Sequence, residues 1–176
     1  MAMSKLGVYV GRFMPMHLGH QDVINHMIKV HGIDRSLVVL GSSNHELTLR
    51  CMFTYRDRMT LLRAKYPDLN AVGLPDYSDD DTWMAALDDI IKTAGHDPKN
   101  TVFYSGSRED VDFFYEQGRS VHILNRYEGT HTVPVSASEV RDALHTGRRL
   151  TQMIDRDLIG YVEMMYKRNW EELKKK

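Results

Sequence analysis

The chain has 176 residues, of which 42% are hydrophobic and 27% charged, and its formal net charge is −1 at pH 7. These values are ordinary for one globular domain, and without a basic excess they argue against a nucleic-acid partner. The single cysteine, Cys51, cannot form an internal disulfide, and neither a signal-peptide core nor a membrane-spanning apolar run is found. We therefore expect one domain over residues 1–176, located in the cytoplasm and without a membrane partner.

Short apolar runs alternate with segments whose apolar residues recur at helical spacing. The predicted strands are Gly7–Val10, Ser36–Leu40, Asn70–Leu74, Thr101–Tyr104 and Val121–Leu124, and the predicted helices are Gln21–Val30, Thr54–Tyr66, Thr82–Thr93, Glu109–Gln117, Ser138–Thr146 and Asp155–Leu173. This alternation predicts an α/β fold, a Rossmann-like, doubly wound parallel sheet of about five strands with a C-terminal helical segment. Ligands of such sheets bind at the carboxyl ends of the strands. The loops that would converge there are Gly11–Gly19, Gly41–Phe53, Pro75–Asp81, Ser105–Arg108 and Asn125–Ser136.

The segment GRFMPMHLGH, Gly11–His20, joins the first predicted strand to the first helix. A glycine-started turn before a helix N-terminus favours phosphate binding, because backbone N–H groups point at the anion. Gly19 permits close approach of a ligand to the backbone, and His17 and His20 can donate hydrogen bonds to a charged oxygen. The segment is neither a Walker loop nor a GxGxxG motif, and no second cluster with metal-ligand spacing accompanies it. We expect no metal ligands among the protein side chains.

A second segment, VSASEVR, begins a predicted helix in the C-terminal part of the chain. Either Ser136 or Ser138 can cap this helix, and Glu139 places a favourable carboxylate in its first turn. Arg141 lies one turn further on and can reach a terminal phosphate with its planar guanidinium. The pattern therefore predicts a second phosphate-binding helix terminus, in addition to ordinary capping.

Two further groups lie in the middle of the chain. Arg50 precedes the predicted cap Thr54 and is suited to an anion that enters the crevice, whereas Arg58 is expected on the surface, paired with a local acid. In the acidic stretch Asp76–Trp83, we expect Asp81 to cap the following helix. Trp83 has two interpretations, a core anchor or a flat platform beneath an aromatic ligand.

Taken together, these segments make the chain resemble the nicotinamide mononucleotide adenylyltransferases, in particular the archaeal enzymes and the N-terminal domain of the bacterial enzymes fused to a Nudix hydrolase. Gly11–His20 matches the family pattern GRFxPxHxGH throughout. The other family positions fall, in order, on Arg50, Phe53, Thr54 and Arg58, on Asp76 and Trp83, on Ser105 and Gly106, and on Ser136, Ser138 and Arg141. Met52 replaces a frequent proline and Ser138 a commoner threonine. No Nudix domain follows, so a second activity is not expected.

The resemblance implies that ATP and nicotinamide mononucleotide react to give NAD⁺ and pyrophosphate, with Mg²⁺ carried mainly by the ATP phosphates. The attacking phosphate is already ionised near pH 7, so neither a general base nor a covalent enzyme intermediate is required. By resemblance, ATP binds to Gly11, Arg12, Phe13, His17, Gly19, His20, Ser105, Gly106, Ser136, Ser138 and Arg141, of which Arg12, His17, His20 and Arg141 act in catalysis. Arg50 would hold the phosphate of the mononucleotide, Asp76 its carboxamide and Trp83 its ring.

Two alternatives stay open at this point. Another phosphorylated acceptor could be adenylylated or cytidylylated, although the pair Asp76 and Trp83 favours an acceptor with an aromatic ring. The domain could also be a catalytically retired nucleotide sensor. The sequence leaves undecided whether the deamido mononucleotide is accepted. It also leaves open whether Met164, Met165 and Trp170 of the last helix form a contact in a homo-oligomer or only cover the sheet.

Overall fold

The computed structural model describes residues 4–124 and 133–176, which contain one parallel sheet. Its strands are β1 (Leu6–Gly11), β2 (Ser36–Leu40), β3 (Asn70–Gly73), β4 (Thr101–Ser105) and β5 (Ser120–Ile123), in the spatial order β3-β2-β1-β4-β5. The chain moves outward from β1 to β3 on one side and then returns to place β4 on the other side of β1. The predicted Rossmann-like α/β fold is confirmed, and the crevice at its switch point lies beyond the carboxyl ends of β1 and β4.

The helices are α1 (Leu18–His31), α2 (Tyr55–Lys65), α3 (Asp80–Thr93), α4 (Arg108–Glu116), α5 (Ala137–Thr146) and α6 (Ile159–Lys174). Helix α6 begins at Ile159 rather than at the predicted Asp155, whose carboxylate instead accepts hydrogen bonds from Gln21 and Lys65. Asp79, not Asp81, caps α3 by accepting a hydrogen bond from the Thr82 N–H at 2.7 Å. None of the helices in the two described ranges is long and apolar enough to cross a membrane.

The two faces of the sheet are buried in two separate cores. In β2, Leu37 and Val39 pack with α3 and α4, whereas Val38 and Leu40 pack with α1, α2, α5 and α6. This follows from the two-residue period of a strand, which directs successive side chains to opposite faces. Each fully buried aliphatic side chain contributes about 1.5–3 kcal/mol. The loops at the carboxyl edge therefore extend from strands that are fixed on both faces. Of the predicted site loop Asn125–Ser136, residues 125–132 lie outside the described residues.

Candidate active site

Two histidines at the start of α1 cap the helix with each other's side chains. The His17 N–H donates to Nδ1 of His20 at 3.2 Å, and the His20 N–H donates to Nδ1 of His17 at 3.3 Å. Their rings stack with centroids 3.6 Å apart, and both residues are buried. Because each Nδ1 accepts a hydrogen bond, each ring is assigned as neutral with its hydrogen on Nε2. The N-terminus of α1 thus holds two imidazole donors in fixed orientations.

The turn before α1 is packed tightly against these rings. Phe13 has a φ of 52° and lies with its ring 4.6 Å from that of His20. A Cβ atom at Gly19 would lie 3.1 Å from the His17 ring and 3.2 Å from the carbonyl oxygen of Val133. Gly19 therefore has a packing role within the protein, in addition to the ligand approach that we predicted for it from the sequence.

An arginine-rich pocket of about 510 Å³ lies beside this helix terminus. It is lined by Arg12, Phe13, Met14, His20, Arg50, Ala137, Ser138 and Arg141. Among these described lining residues no side chain is acidic, and three are arginines. Guanidinium groups bind phosphate oxygens through paired N–H donors, and the volume is in the range of nucleotide sites. The pocket is therefore suited to a polyphosphate.

Arg141 is held in this pocket by the backbone of the first loop. Its Nη1 donates to the carbonyl oxygen of Met14 at 2.9 Å and its Nη2 donates to Ser138 Oγ at 3.1 Å. Burial lowers the pKa of Arg141, with Cys51 opposing the shift and the neighbouring charges of Arg12 and Arg50 adding to it. Guanidinium groups stay protonated in proteins, so the positive charge is concentrated at this point and an anionic ligand relieves the repulsion.

Arg58 is a structural residue of the site that the sequence analysis assigned wrongly. We expected it on the surface, but it is only 1% exposed and lies beneath the pocket. Its Nη1 donates to the carbonyl oxygens of Arg12 and Gly41, both at 2.7 Å, and its Nη2 donates to that of Ser42 at 2.9 Å. Burial lowers the pKa of Arg58, with Cys51 and Tyr55 opposing the shift and the charge of Arg12 adding to it. The buried cation ties the loop after β1 to the loop after β2.

A second pocket, also of about 510 Å³, adjoins the arginine-rich pocket and shares Arg12 with it. Asp76 and Trp83 both line this second pocket. The Trp83 ring packs on the rings of Phe113 and Phe114, at centroid distances of 5.7 and 6.1 Å, and the residue is half-buried. Trp83 therefore packs on the core and also lines a ligand-sized space, and its role as a platform beneath an aromatic ligand stays a prediction. Through Arg12 the two pockets form one crevice.

Several other predicted site residues make local contacts and do not line the two pockets. Ser105 Oγ donates to Asp110 at 3.3 Å and accepts from the Ser107 N–H at 3.1 Å, at the start of α4. Ser136 is the cap of α5, accepting from the Glu139 N–H at 3.2 Å. Within the described part of the chain, neither of the two pockets is lined by His17, Gly19, Ser105, Gly106 or Ser136. Their contact with ATP stays a prediction.

The last helix reaches the loop that carries Arg50. Asn169 of α6 is buried, and its Nδ2 donates to the carbonyl oxygen of Met52 and to Asp57 Oδ2, both at 2.8 Å. Burial alone would raise the pKa of Asp57, but hydrogen bonds from Asn169, Arg168 and Thr54 outweigh it and lower the pKa. Asn169, which lies 117 residues from Met52 in the chain, thus anchors the segment between Arg50 and α2.

In residues 4–124 and 133–176, no three histidine, cysteine, aspartate or glutamate side chains are grouped so that they could hold a metal ion. What the site offers is a set of cationic and neutral N–H donors, next to a pocket lined by aromatic rings and by the carboxylates of Asp76, Glu109 and Asp110. A parallel sheet with such donors at its carboxyl edge defines a nucleotide-binding α/β protein.

The comparison with known families agrees with this class. The sequence model of the cytidylyltransferase-like family matches residues 8–143, and the chain belongs to that family. A nicotinamide-nucleotide adenylyltransferase of Thermococcus sibiricus is 23% identical over 167 residues, which cover 89% of this chain and 82% of the relative. An enzyme of the same name from Methanoculleus marisnigri is 26% identical over 173 residues, covering 86% of this chain and 98% of the relative.

A solved structure with the same fold comes from Francisella tularensis. It is a bifunctional NMN adenylyltransferase/ADP ribose pyrophosphatase complexed with AMP and a manganese ion. It matches with a TM-score of 0.71 at 17% identity, covering 97% of this chain. The chain spans 52% of that bifunctional protein, about half of its length.

Proposed function

We propose that this protein is a nicotinamide-nucleotide adenylyltransferase, which joins ATP and nicotinamide mononucleotide to form NAD⁺ and pyrophosphate. The observation that carries the proposal is the pair of pockets joined by Arg12, one arginine-rich and one lined by aromatic rings and carboxylates, among them Trp83 and Asp76. The names of the archaeal relatives, matched over most of the chain, support the same reaction.

The mechanism is an in-line attack of the mononucleotide phosphate on the α-phosphate of ATP. This nucleophile is a phosphate monoester, largely ionised near pH 7, so the protein has no proton to remove and forms no covalent intermediate. The protein contributes alignment of the two phosphates and stabilisation of the charge that moves onto pyrophosphate. A site built from N–H donors rather than bases is suited to both tasks.

The triphosphate occupies the arginine-rich pocket in this proposal. His17 and His20 donate from Nε2 to the phosphate oxygens, and their reciprocal capping keeps both rings oriented before ATP arrives. Arg141 binds the β- and γ-phosphates, because its contacts with Met14 and Ser138 already direct the guanidinium along the pocket wall. Donors that are oriented in advance need no reorganisation during the reaction.

The mononucleotide lies across the junction of the two pockets. Its cationic ring stacks on Trp83, its carboxamide contacts Asp76, and its phosphate lies between Arg12 and Arg50. A positively charged ring is attracted to the face of an indole, which explains why a tryptophan is more useful here than an aliphatic residue.

A divalent cation fits this chemistry when it arrives with ATP. The side chains that line the arginine-rich pocket are cations and N–H donors, which bind phosphate oxygens and not a metal. Mg²⁺ retains water and phosphate oxygens as ligands, and when bound it neutralises charge on the transferring polyphosphate. We therefore propose Mg²⁺ on the ATP phosphates, with the protein holding the remaining oxygens.

The direct test is incubation of the purified protein with ATP, Mg²⁺ and nicotinamide mononucleotide, followed by chromatographic detection of NAD⁺ and an assay of pyrophosphate. Stoichiometric release of both products is expected. Turnover of another phosphorylated acceptor in a substrate panel, without NAD⁺ formation, would contradict the proposal. ATP binding without any turnover would instead identify a nucleotide sensor.

Two broader predictions accompany this function. We propose that residues 1–176 act as a single nucleotidyltransferase domain. We also propose a cytoplasmic location, in keeping with one cysteine, Cys51, that is buried and free. Size-exclusion chromatography with light scattering tests whether the protein forms a homo-oligomer.

A further inference from the structure

The carboxylate of Asp76 is held on both oxygens by the loop that follows β2. Ser42 Oγ donates to Asp76 Oδ1 at 3.0 Å, and His45 Nε2 lies 3.1 Å from Asp76 Oδ2. The backbone N–H of Asp76 also donates to Asn44 Oδ1 at 2.9 Å. A carboxylate has about four acceptor positions, so these contacts fix its orientation and leave acceptor capacity for a ligand.

The other nitrogen of the His45 ring contacts the loop that carries Arg50. His45 Nδ1 lies 3.7 Å from the sulfur of Cys51, the residue next to Arg50. A thiol is a weak donor and a carboxylate is only an acceptor. Because a carboxylate only accepts, Nε2–H of His45 donates to Asp76, while Nδ1 lies in weak contact with the Cys51 sulfur. His45 thus bridges the residue at the ring end of the mononucleotide site and the loop at its phosphate end.

The contacts of His45 with Asp76 and Cys51 are not explained by the stability of the fold alone. The side chains of His45 and Asp76 are each 45% exposed, and such half-exposed pairs add little to the free energy of unfolding. A contact of this kind contributes more by fixing the direction of a functional group than by holding the fold.

We propose that His45 is a positioning residue that orients Asp76 to accept a hydrogen bond from the substrate carboxamide, and so selects nicotinamide mononucleotide over its carboxylate analogue, nicotinate mononucleotide. This inference rests on the proposed function. The amide presents N–H donors to Asp76, whereas the acid presents a second carboxylate to it. Like charges at hydrogen-bond distance repel, and their repulsion provides the discrimination.

The experiment compares His45→Ala, His45→Gln and Asp76→Asn with a matched control, His96→Gln, which lies in the chain between α3 and β4, away from both pockets. Calorimetry measures binding of each mononucleotide without ATP, and steady-state kinetics give kcat and KM for each mononucleotide and for ATP. Thermal unfolding is recorded for every variant. The binding measurement is informative even if the protein forms no NAD⁺, so failure of the proposed reaction is distinguishable from failure of this inference.

Wild-type protein is expected to bind the amide more tightly than the acid. His45→Ala is expected to weaken amide binding and raise its KM by about 10-fold, the factor for one hydrogen bond to a charged group. The KM for ATP is expected to stay within about 2-fold, since a single lost contact in the second pocket leaves the ATP contacts in place. His45→Gln should restore most of the loss, since its amide nitrogen can replace Nε2. Asp76→Asn should narrow the gap between amide and acid.

Three results would overturn the inference. One is equal binding of amide and acid by the wild-type protein. Another is an unchanged amide KM and affinity in His45→Ala. The third is an equal loss in the alanine and glutamine variants together with a lower melting temperature, because that pattern belongs to a purely structural residue.

Discussion

The Arg58 guanidinium donates a hydrogen bond to the carbonyl oxygen of Arg12, 2.7 Å away, although 46 residues separate the two in the chain. The same nitrogen donates to Gly41, and the second terminal nitrogen donates to Ser42. Arg12 is the residue that the two pockets share, so its backbone is fixed from beneath while its side chain faces the crevice. The buried cation therefore sets the distance between the phosphate-binding loop and the loop that orients Asp76.

Replacing Arg58 with methionine is expected to lower the free energy of unfolding by about 3 kcal/mol, because three carbonyl oxygens, those of Gly41 and Ser42 in buried bonds, lose a charged donor. Urea unfolding measures this change. Arg56→Met, an exposed change on the same helix, is the control and should have little effect. Equal stability of the two variants would show that water replaces the guanidinium without cost.

His20→Ala is expected to lower kcat by about 10²–10³-fold, the usual loss of an oriented transition-state donor. It also removes half of the reciprocal cap of α1, which costs about 1 kcal/mol of stability. His20→Gln separates these effects, because glutamine at this position can still accept from the His17 N–H. We expect the glutamine variant to melt like the wild type but to turn over slowly. Full activity in His20→Gln would mean that capping is the whole role of His20.

Trp83→Ala is expected to raise the KM for the mononucleotide by about 10-fold, since an aromatic face over a cationic ring contributes about 1–2 kcal/mol. The KM for ATP should not change. Because Trp83 also packs on Phe113 and Phe114, the alanine variant will lose stability as well. Trp83→Phe retains most of this packing and should give an intermediate KM. A change confined to ATP binding would contradict the placement of the ring.

His31 makes the stability of the fold depend on pH. Its Nδ1 lies 2.8 Å from the Lys5 carbonyl oxygen and its Nε2 lies 2.8 Å from the Tyr104 hydroxyl. Burial lowers the pKa of His31 below its usual 6.5, against the hydrogen bond to Lys5 and with help from the charge of His122. The folded state therefore binds this proton less readily than the unfolded chain. The contribution of His31 is complete above pH 6.5 and is lost as the pH falls through the folded-state pKa.

Urea unfolding at a series of pH values from 8 to 5 tests this expectation. His31→Gln should reduce the loss of stability on the acid side of neutrality. His96→Gln provides the comparison for removing a histidine elsewhere. An identical pH profile for wild type and His31→Gln would show that His31 does not cause the loss of stability in acid.

Asn169→Asp is expected to destabilise the protein more than Asn169→Ala at neutral pH, because it places a second carboxylate against Asp57 where an amide donor now lies at 2.8 Å. Acidification should narrow the difference between the two variants, as one of the paired carboxylates takes up a proton. Denaturant unfolding at pH 7 and pH 5 measures both effects. Equal stabilities of the two variants at pH 7 would mean that the segment from Met52 to Asp57 moves away from α6 in Asn169→Asp.

Local sequence patterns predicted most helices and strands. Contacts between distant segments account for most of the places where the structure differs from the prediction. β2 has the predicted bounds, since an isolated apolar run between polar turns allows one interpretation. Ser136 as the cap of α5 was one of two candidates, and its hydrogen bonds with Glu139 explain the choice. In the stretch of aspartates before α3, several residues can cap equally well, so Asp79 was not distinguishable from Asp81.

Within the site, the sequence indicated which residues line the crevice more reliably than which residues support it. His20, Arg50 and Arg141 line one pocket as their motifs suggested, although their contacts with ATP and the mononucleotide are untested. The burial of Arg58 depends on three carbonyl oxygens from two other loops. The residues next to position 58 in the sequence give no indication of these distant contacts. Asn169 was likewise missed, because a polar residue in an amphipathic helix looks like part of its solvent face until its partner is known.

The hydrogen bonds of Asn169 also have a consequence for the order in which the molecule becomes active during its synthesis. On the ribosome, the sheet and the N-terminus of α1 are available long before residue 169 leaves the exit tunnel. Until then, Met52 and Asp57 lack their partner on α6, and the Arg50 loop is without its anchor. The Arg50 side of the crevice is therefore expected to become ordered last, once α6 has packed on α2.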